Sequence, residues 1–151
     1  MKKLLLLIAG LYIGQMLCAQ TPLAYYPFNG NANDATGVLN ATVNGATLTT
    51  DRFDNANSAY SFDGVNDRIT ASVPTTVVDN FSLEGWAKIS GLTSDNQIIF
   101  HNGNSFLNGW GLLISSTGTL VVLYGAVSYN GTSFQCSLNQ WYHFALVEQM
   151  E

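Results

Sequence analysis

The sequence predicts an all-β fold, an antiparallel β-sandwich, and three observations support this prediction. From Leu23 onward, apolar and polar residues alternate with the period of two that a half-buried strand shows. No window carries apolar residues at the 3.6-residue spacing of an amphipathic helix. Gly, Asn, Asp and Ser separate the apolar runs at regular intervals, as turns do in sandwiches.

The alternating pattern predicts a series of short strands. They cover residues 23–28, 46–50, 58–63, 68–73, 81–89, 97–101, 110–115, 119–124 and 141–148. Between two of them, residues 116–118 read Ser-Thr-Gly. This segment predicts a tight hairpin turn, because Gly118 can adopt the positive φ that closes such turns.

Two of the longer strands have distinct face patterns. In residues 81–89 the odd positions are apolar or small, so that face is predicted to be core. The even positions of this strand are Ser82, Glu84, Trp86 and Lys88. In residues 141–148 both faces are largely apolar, which predicts a central strand covered on both sides.

The first 19 residues have the layout of a secretory signal peptide. Lys2 and Lys3 precede an apolar run that ends at Leu17, and Ala19 supplies a small residue before the cleavage point. The apolar run is about fourteen residues long, short of the roughly 20 that a membrane-spanning helix needs. We therefore expect a cleaved leader of bacterial type over residues 1–19, one domain over residues 20–151, and a secreted or cell-surface location.

Charge and cysteine content limit the partners of the mature chain. Outside the leader, Arg52, Arg68 and Lys88 stand against ten carboxylates, a net charge of about −7 that disfavours nucleic acid, polyanions and anionic membrane surfaces. Cys136 is the one cysteine outside the leader, so an internal disulfide is excluded there. We expect it to be a small buried residue.

Several segments together resemble a known family. They are YPF (26–28), NDATG (33–37), SFDG (61–64), FSLEGWAKI (81–89), GWGLLIS (109–115) and WYHFALVEQ (141–149). In this order they resemble the laminin G-like domains of the concanavalin A-like lectin/glucanase superfamily. The resemblance implies a jelly-roll sandwich. In that family further strands follow the one matching WYHFALV, and the last pairs beside the first strand, so the resemblance also implies that the closing strands are lacking here.

The loop over residues 29–40 is a candidate calcium site. Calcium takes six to eight oxygen ligands, and this loop concentrates amide and carboxylate oxygens, with Asp34, Asn31 and Asn40 as the candidate ligands. In the family that the chain resembles, the Asp at the position of Asp34 often contributes to a structural calcium site. The alternative is that these side chains cap turns through hydrogen bonds to the backbone. Asp63 and Asp67 present the same two alternatives.

Aromatic side chains are the candidate ligand contacts. Sugars stack their C–H faces on aromatic rings, which combine apolar area with a polar edge or hydroxyl. The candidates are Trp86, Trp110, Tyr124 and Tyr129. Packing in the core is the alternative for the two tryptophans, whereas Tyr129 lies in a polar stretch that favours exposure.

The sequence lacks the carboxylate pattern of glycan-cleaving enzymes on this superfold. A retaining mechanism needs two carboxyl groups about 5 to 5.5 Å apart, and Glu84, Glu148 and Glu151 give no such pair along one strand. We therefore expect a non-catalytic binding or adhesion module for carbohydrate or a surface protein, often an accessory domain of a larger protein. A glycoside hydrolase of the same superfold and a structural spacer or gene fragment without a ligand are the alternatives.

Overall fold

A computed structural model describes residues 21–72, 80–103, 109–124 and 127–148, without the side chains of 124 and 127–131. Every regular element in this part of the chain is a β-strand, and every ladder is antiparallel. The strands are β1 (Thr42–Asn44), β2 (Thr47–Thr49), β3 (Ala59–Ser61), β4 (Arg68–Thr70), β5 (Phe81–Lys88), β6 (Gln97–Asn102), β7 (Trp110–Ile114), β8 (Thr119–Tyr124), β9 (Val127–Gln135) and β10 (Trp141–Glu148). The prediction of an all-β antiparallel sandwich is confirmed.

The strands form one larger sheet and three two-stranded ladders. The larger sheet has the order β6-β7-β8-β9, and β10 pairs with β5 along the full length of both strands. In the N-terminal part, β1 pairs with β4 and β2 pairs with β3. Over the described ranges no helix is long and apolar enough to cross a membrane.

The core lies between the larger sheet and the β5–β10 ladder. Leu112, Ile114, Cys136 and Phe144 form its buried centre, and Ile114 is fully buried. Half-buried apolar side chains of both layers pack around them, including Ala87 and Leu146 of the β5–β10 ladder, Leu120 and Val122 of β8, and Phe100 of β6. Removing a side chain of this size from water stabilises the fold by about 1.5–3 kcal/mol.

The β7 and β8 strands are buried on both faces. Leu112 and Ile114 point to the core just described, whereas Leu113, Val121 and Leu123 form a second buried cluster. This explains why both strands read as continuous apolar runs in the sequence. The hairpin predicted between them is confirmed, with Gly118 at φ +87° and its N–H donating to the Ser115 carbonyl at 2.9 Å.

The strand predicted over residues 23–28 is wrong. The Tyr25 N–H donates to a carboxylate oxygen of Asp34 at 2.8 Å, and the Tyr25 carbonyl accepts the Ala35 N–H at 2.7 Å, so this backbone pairs with a loop. Pro27 has no N–H to donate to a ladder. Phe28 has a φ of +57°, which turns the chain out of an extended path.

Two observed strands were missed. Strand β1 spans three residues, too few for an alternation to be visible. Strand β9 is rich in polar residues and contains Asn130-Gly131, a dipeptide that favours hairpin turns. Pairing with β8 overrides this local preference, and the register shifts twice along the ladder. At the shift near Thr132, its hydroxyl donates to the Leu120 carbonyl and accepts the Phe134 N–H.

The prediction that residues 141–148 are covered on both sides is also wrong. Strand β10 pairs with β5 alone among the described strands. Its Phe144 face is buried, but His143 and Ala145 are exposed on the opposite face and Val147 is 62% exposed. The apolar character of the second face therefore does not reflect coverage by the described part of the chain.

Candidate ligand-binding site

The exposed face of the β5–β10 ladder, here called the outer face, is the candidate binding site. Antiparallel register places His143 opposite Trp86 and Trp141 opposite Lys88. The period of two sends these side chains away from the core, because their neighbours Ala87, Tyr142 and Phe144 point into it. Trp86 remains 48% exposed, a large solvent-facing area for an aromatic ring.

Trp86 lies in a stack of planar groups. The Cζ atom of Arg52, from the loop between β2 and β3, lies 4.4 Å from the Trp86 ring centroid and 4.2 Å from that of Phe53. The guanidinium is therefore held by two aromatic rings, and the positive charge is attracted to their π-faces. Phe53 is itself 66% exposed, so the stack extends the apolar area of the outer face.

Polar groups border this stack. His143 lies 5.2 Å from Trp86 between ring centroids, and its Nε2 is 3.5 Å from Oε2 of Glu84. Further along the ladder, Lys88 Nζ lies 5.2 Å from the Trp141 ring centroid. The outer face thus combines two tryptophans with hydrogen-bonding side chains, which is the combination that saccharide recognition needs.

The four aromatic candidates have different positions. Trp86 is on the outer face, whereas Trp110 is half-buried on β7 and stacks on Phe81 with 4.4 Å between ring centroids.

The Tyr124 backbone is in β8 and that of Tyr129 is in β9, and the side chains of both lie outside the described residues. The structure therefore groups Trp86 with Arg52 and His143 and not with Trp110.

Arg52, Phe53 and His143 were missed as site residues. Arg52 and Phe53 belong to a turn-rich loop more than thirty residues before Trp86 in the chain. No local spacing links that loop to β5. His143 could have been found from the pairing of residues 81–89 with 141–148, since opposite residues on one face are neighbours.

The Asp34 side chain is buried at the centre of its loop, with 4% exposure. Its Oδ1 accepts the N–H groups of Tyr25 and Thr36 at 2.8 and 2.9 Å. Its Oδ2 accepts the Thr36 hydroxyl at 2.5 Å and the N–H groups of Val38 and Leu39 at 3.3 and 2.9 Å. Burial opposes ionisation of Asp34, but these hydrogen bonds prevail and hold the pKa of its carboxyl well below the ordinary value.

This arrangement does not fit a calcium ligand. A cation needs free lone pairs on its ligand oxygens, whereas both Asp34 oxygens are surrounded by N–H and O–H donors. The oxygens of the other two candidates also accept backbone N–H groups, Asn31 from Asn33 at 2.8 Å and Asn40 from Asp34 at 3.0 Å. These bonds support the turn-capping alternative, and calcium binding stays a prediction.

Other aspartates cap turns in the same way. Asp63 Oδ1 accepts the Val65 N–H at 2.8 Å, and Asp67 Oδ2 accepts the Asp63 N–H at 2.9 Å. Asp51 accepts the N–H groups of Phe53 and Asn55. Within the described ranges, no group of three or more His, Cys, Asp or Glu side chains could hold a metal ion.

The fold and the outer face define a binding module built on a β-sandwich. A laminin G family model, described as the concanavalin A-like lectin/glucanases superfamily, matches residues 62–149. The match covers more than half of the chain, and the chain belongs to this superfamily. Comparisons with curated proteins and with solved structures gave no match.

The match confirms the resemblance seen in the sequence, and its range shows which site residues the family model covers. It includes all of β5 and β10, and therefore most of the outer face, but it begins after Asp34 and Arg52. Laminin G-like domains are typically non-catalytic, and the family supports binding of carbohydrates or proteins in general terms.

Proposed function

We propose that this protein is an exported, non-catalytic module that binds carbohydrate on the outer face of the β5–β10 ladder. The half-exposed Trp86 carries the proposal, because an aromatic ring with nearly half its surface in water is a platform for the C–H face of a sugar. Arg52, Glu84 and His143 lie around it and offer donors and acceptors for sugar hydroxyls. Phe53 and Trp141 lengthen the platform.

The surroundings of Glu84 support a non-catalytic role. Retaining glycosidases need a second carboxyl group about 5 to 5.5 Å away, and inverting ones need it at about 6.5 to 9.5 Å. The partner shown for Glu84 is an imidazole, since its Oε2 lies 3.5 Å from His143 Nε2, and the Glu84 side chain is 72% exposed. An exposed carboxylate beside an imidazole is suited to accepting hydrogen bonds from hydroxyl groups.

Export is proposed from the leader pattern of residues 1–19, which lie outside the described residues. A secreted or cell-surface module would meet glycans of surfaces or of the medium. A surface protein is the alternative partner, and it would use the same outer face.

Binding of the full mature chain to an array of neutral and acidic oligosaccharides tests the proposal. We expect Trp86→Ala to weaken any detected binding at least about tenfold, because it removes the ring on which the sugar stacks. Phe62→Ala is the matched control, since Phe62 is 50% exposed, close to the value for Trp86, and lies in the loop after β3.

The outcomes separate the candidate functions. Equal loss in both variants would indicate destabilisation and would contradict the assignment to the outer face. Binding that persists in Trp86→Ala would place the site elsewhere. An array without any binding would overturn carbohydrate recognition, and turnover of a glycan would overturn the non-catalytic role.

A further inference from the structure

We infer that the outer face selects a saccharide that carries a carboxylate, a uronic acid unit, and that Arg52 binds this carboxylate. The inference rests on the proposed function, since it names the ligand class of the same site. Two independent observations support it: the state of the Arg52 guanidinium, and the distribution of positive charge over the described residues.

The Arg52 guanidinium is held against two aromatic rings. The ring centroids of Phe53 and Trp86 lie 4.2 and 4.4 Å from its Cζ atom, so cation–π contacts hold it against both rings. Among the hydrogen bonds and ion pairs of the described residues, none involves this guanidinium. Contact with the rings supplies no hydrogen-bond acceptor in the form of an oxygen lone pair, and the guanidinium N–H groups match a carboxylate with two parallel hydrogen bonds.

The outer face carries two cations. Three cations stand outside the leader in a chain with ten carboxylates, and Arg52 and Lys88 are two of them. Both lie over tryptophan rings of the outer face, Arg52 over Trp86 and Lys88 over Trp141. Because salt screens charges beyond roughly 8 Å at physiological ionic strength, a bound anion is affected mainly by the charges of this face, which are these two cations and the carboxylate of Glu84.

Two carboxylates near Arg52 in the chain or on the outer face already have partners. Asp51, next to Arg52 in the chain, uses both oxygens for Phe53 and Asn55 of its own loop. Glu84 lies 3.5 Å from His143 Nε2. The pKa of Asp51 is lowered chiefly by the Asn55 side chain and to a smaller extent by the charge of Arg52, but neither carboxylate forms a salt bridge with Arg52. An external carboxylate can therefore approach the guanidinium N–H groups while its sugar ring covers the exposed part of Trp86.

Titration calorimetry of the full mature chain with two matched ligands tests this inference. The first ligand is trigalacturonate, and the second is the same trisaccharide with its carboxyl groups reduced to alcohols. We expect the acidic form to bind at least about tenfold more tightly, because hydrogen bonds to a charged group are stronger than those to a neutral hydroxyl. Its affinity should fall as salt is raised.

Variants locate the effect. Arg52→Gln should remove the preference for the acidic form, and Arg52→Lys should restore only part of it, because lysine keeps the charge but not the fork of donors. Arg68→Gln is the charge-matched control, since Arg68 lies on β4 and its Nη1 donates to the Asn66 carbonyl at 3.5 Å. It should leave the preference unchanged.

Each outcome decides one question. Equal binding of both trisaccharides, or equal loss in Arg52→Gln and Arg68→Gln, would overturn the carboxylate inference and leave carbohydrate binding intact. A sulfate ester of a neutral sugar that binds as tightly as the uronate would show that the site accepts anions in general. That result would also overturn the carboxylate inference. Absence of binding to these ligands together with an empty oligosaccharide array would overturn the proposed function itself.

Discussion

Residues 21–72 and residues 80–148 are held together by different interactions. The N-terminal region has four strands of three residues each, and its turns are fixed by hydrogen bonds to Asp34, Asp51 and Asp63. The C-terminal region has strands of five to nine residues that enclose the buried side chains around Ile114.

The difference shows two ways of ordering a β chain. Long strands with an apolar face gain stability from burial, which grows with the area removed from water. Short strands separated by turns bury little, so their order depends on carboxylates that satisfy several backbone N–H groups at once. The outer face contains residues of both regions, since Arg52 belongs to the first region and Trp86 to the second.

The largest effect is expected from Ile114→Ala. The side chain is fully buried between the two layers, and its removal leaves a cavity that lowers the free energy of unfolding by about 2–5 kcal/mol. Urea denaturation followed by circular dichroism measures it. Ile98→Ala on β6 is the control, because Ile98 is 63% exposed and should cost less than about 1 kcal/mol. Equal losses of unfolding free energy in the two variants would show that burial does not determine the contribution of Ile114.

Asp34→Asn should have a smaller and local effect. An amide NH₂ in place of one oxygen would face N–H and O–H donors, so some of the five hydrogen bonds are lost. We expect faster hydrogen exchange at Tyr25, Thr36 and Leu39, while the amides of β7 and β8 keep their protection. Faster exchange in both regions would contradict the view that Asp34 stabilises only the N-terminal region.

Acid should weaken the N-terminal region through the same carboxylates. Hydrogen bonds lower the pKa of Asp51 and Asp63, chiefly from the Asn55 side chain and from the Val65 N–H, and Asp34 is lowered as described above. A lowered pKa in the folded state contributes stability above the unfolded value near 4, and this contribution is lost as the pH falls further. The difference in Tm between wild type and Asp34→Asn should therefore shrink from pH 5 to pH 2. A constant difference would exclude the charge of Asp34 as its cause.

Glu84→Gln should change stability by less than about 1 kcal/mol. The contact between Glu84 and His143 is solvent-exposed, and such pairs contribute little. Thermal melts at low and high salt measure this. A larger loss would mean that charge, as well as burial, stabilises the C-terminal region.

The effect of calcium on the melting temperature separates the two interpretations of the Asp34 loop. A ligand that binds only the folded state raises the Tm. The hydrogen bonds around Asp34 lead us to expect the same Tm in 10 mM calcium and in chelator. A higher Tm in calcium that is absent in Asp34→Asn would establish the calcium site instead.

Periodicity predicted the C-terminal strands well, because β5, β7, β8 and β10 have long apolar patterns. It failed for residues 23–28, where the backbone partner is the Asp34 side chain, a contact that no strand pattern encodes. The spacing of Asn and Asp residues indicated turn capping as one alternative. The contact between Arg52 and Trp86 was not predictable, since it depends on how a loop lies against a distant strand.

The buried thiol of Cys136 has a consequence for the protein outside the cell, where we propose that it acts. In the folded chain Cys136 is 8% exposed, and burial raises the pKa of its thiol, so little reactive thiolate is available to an oxidant. Before the sandwich closes, the same thiol is open to disulfide exchange with another chain. The yield of unlinked protein therefore depends on how much of the chain is unfolded while an oxidant is present. A destabilised variant such as Ile114→Ala should accumulate more disulfide-linked dimers than the wild type.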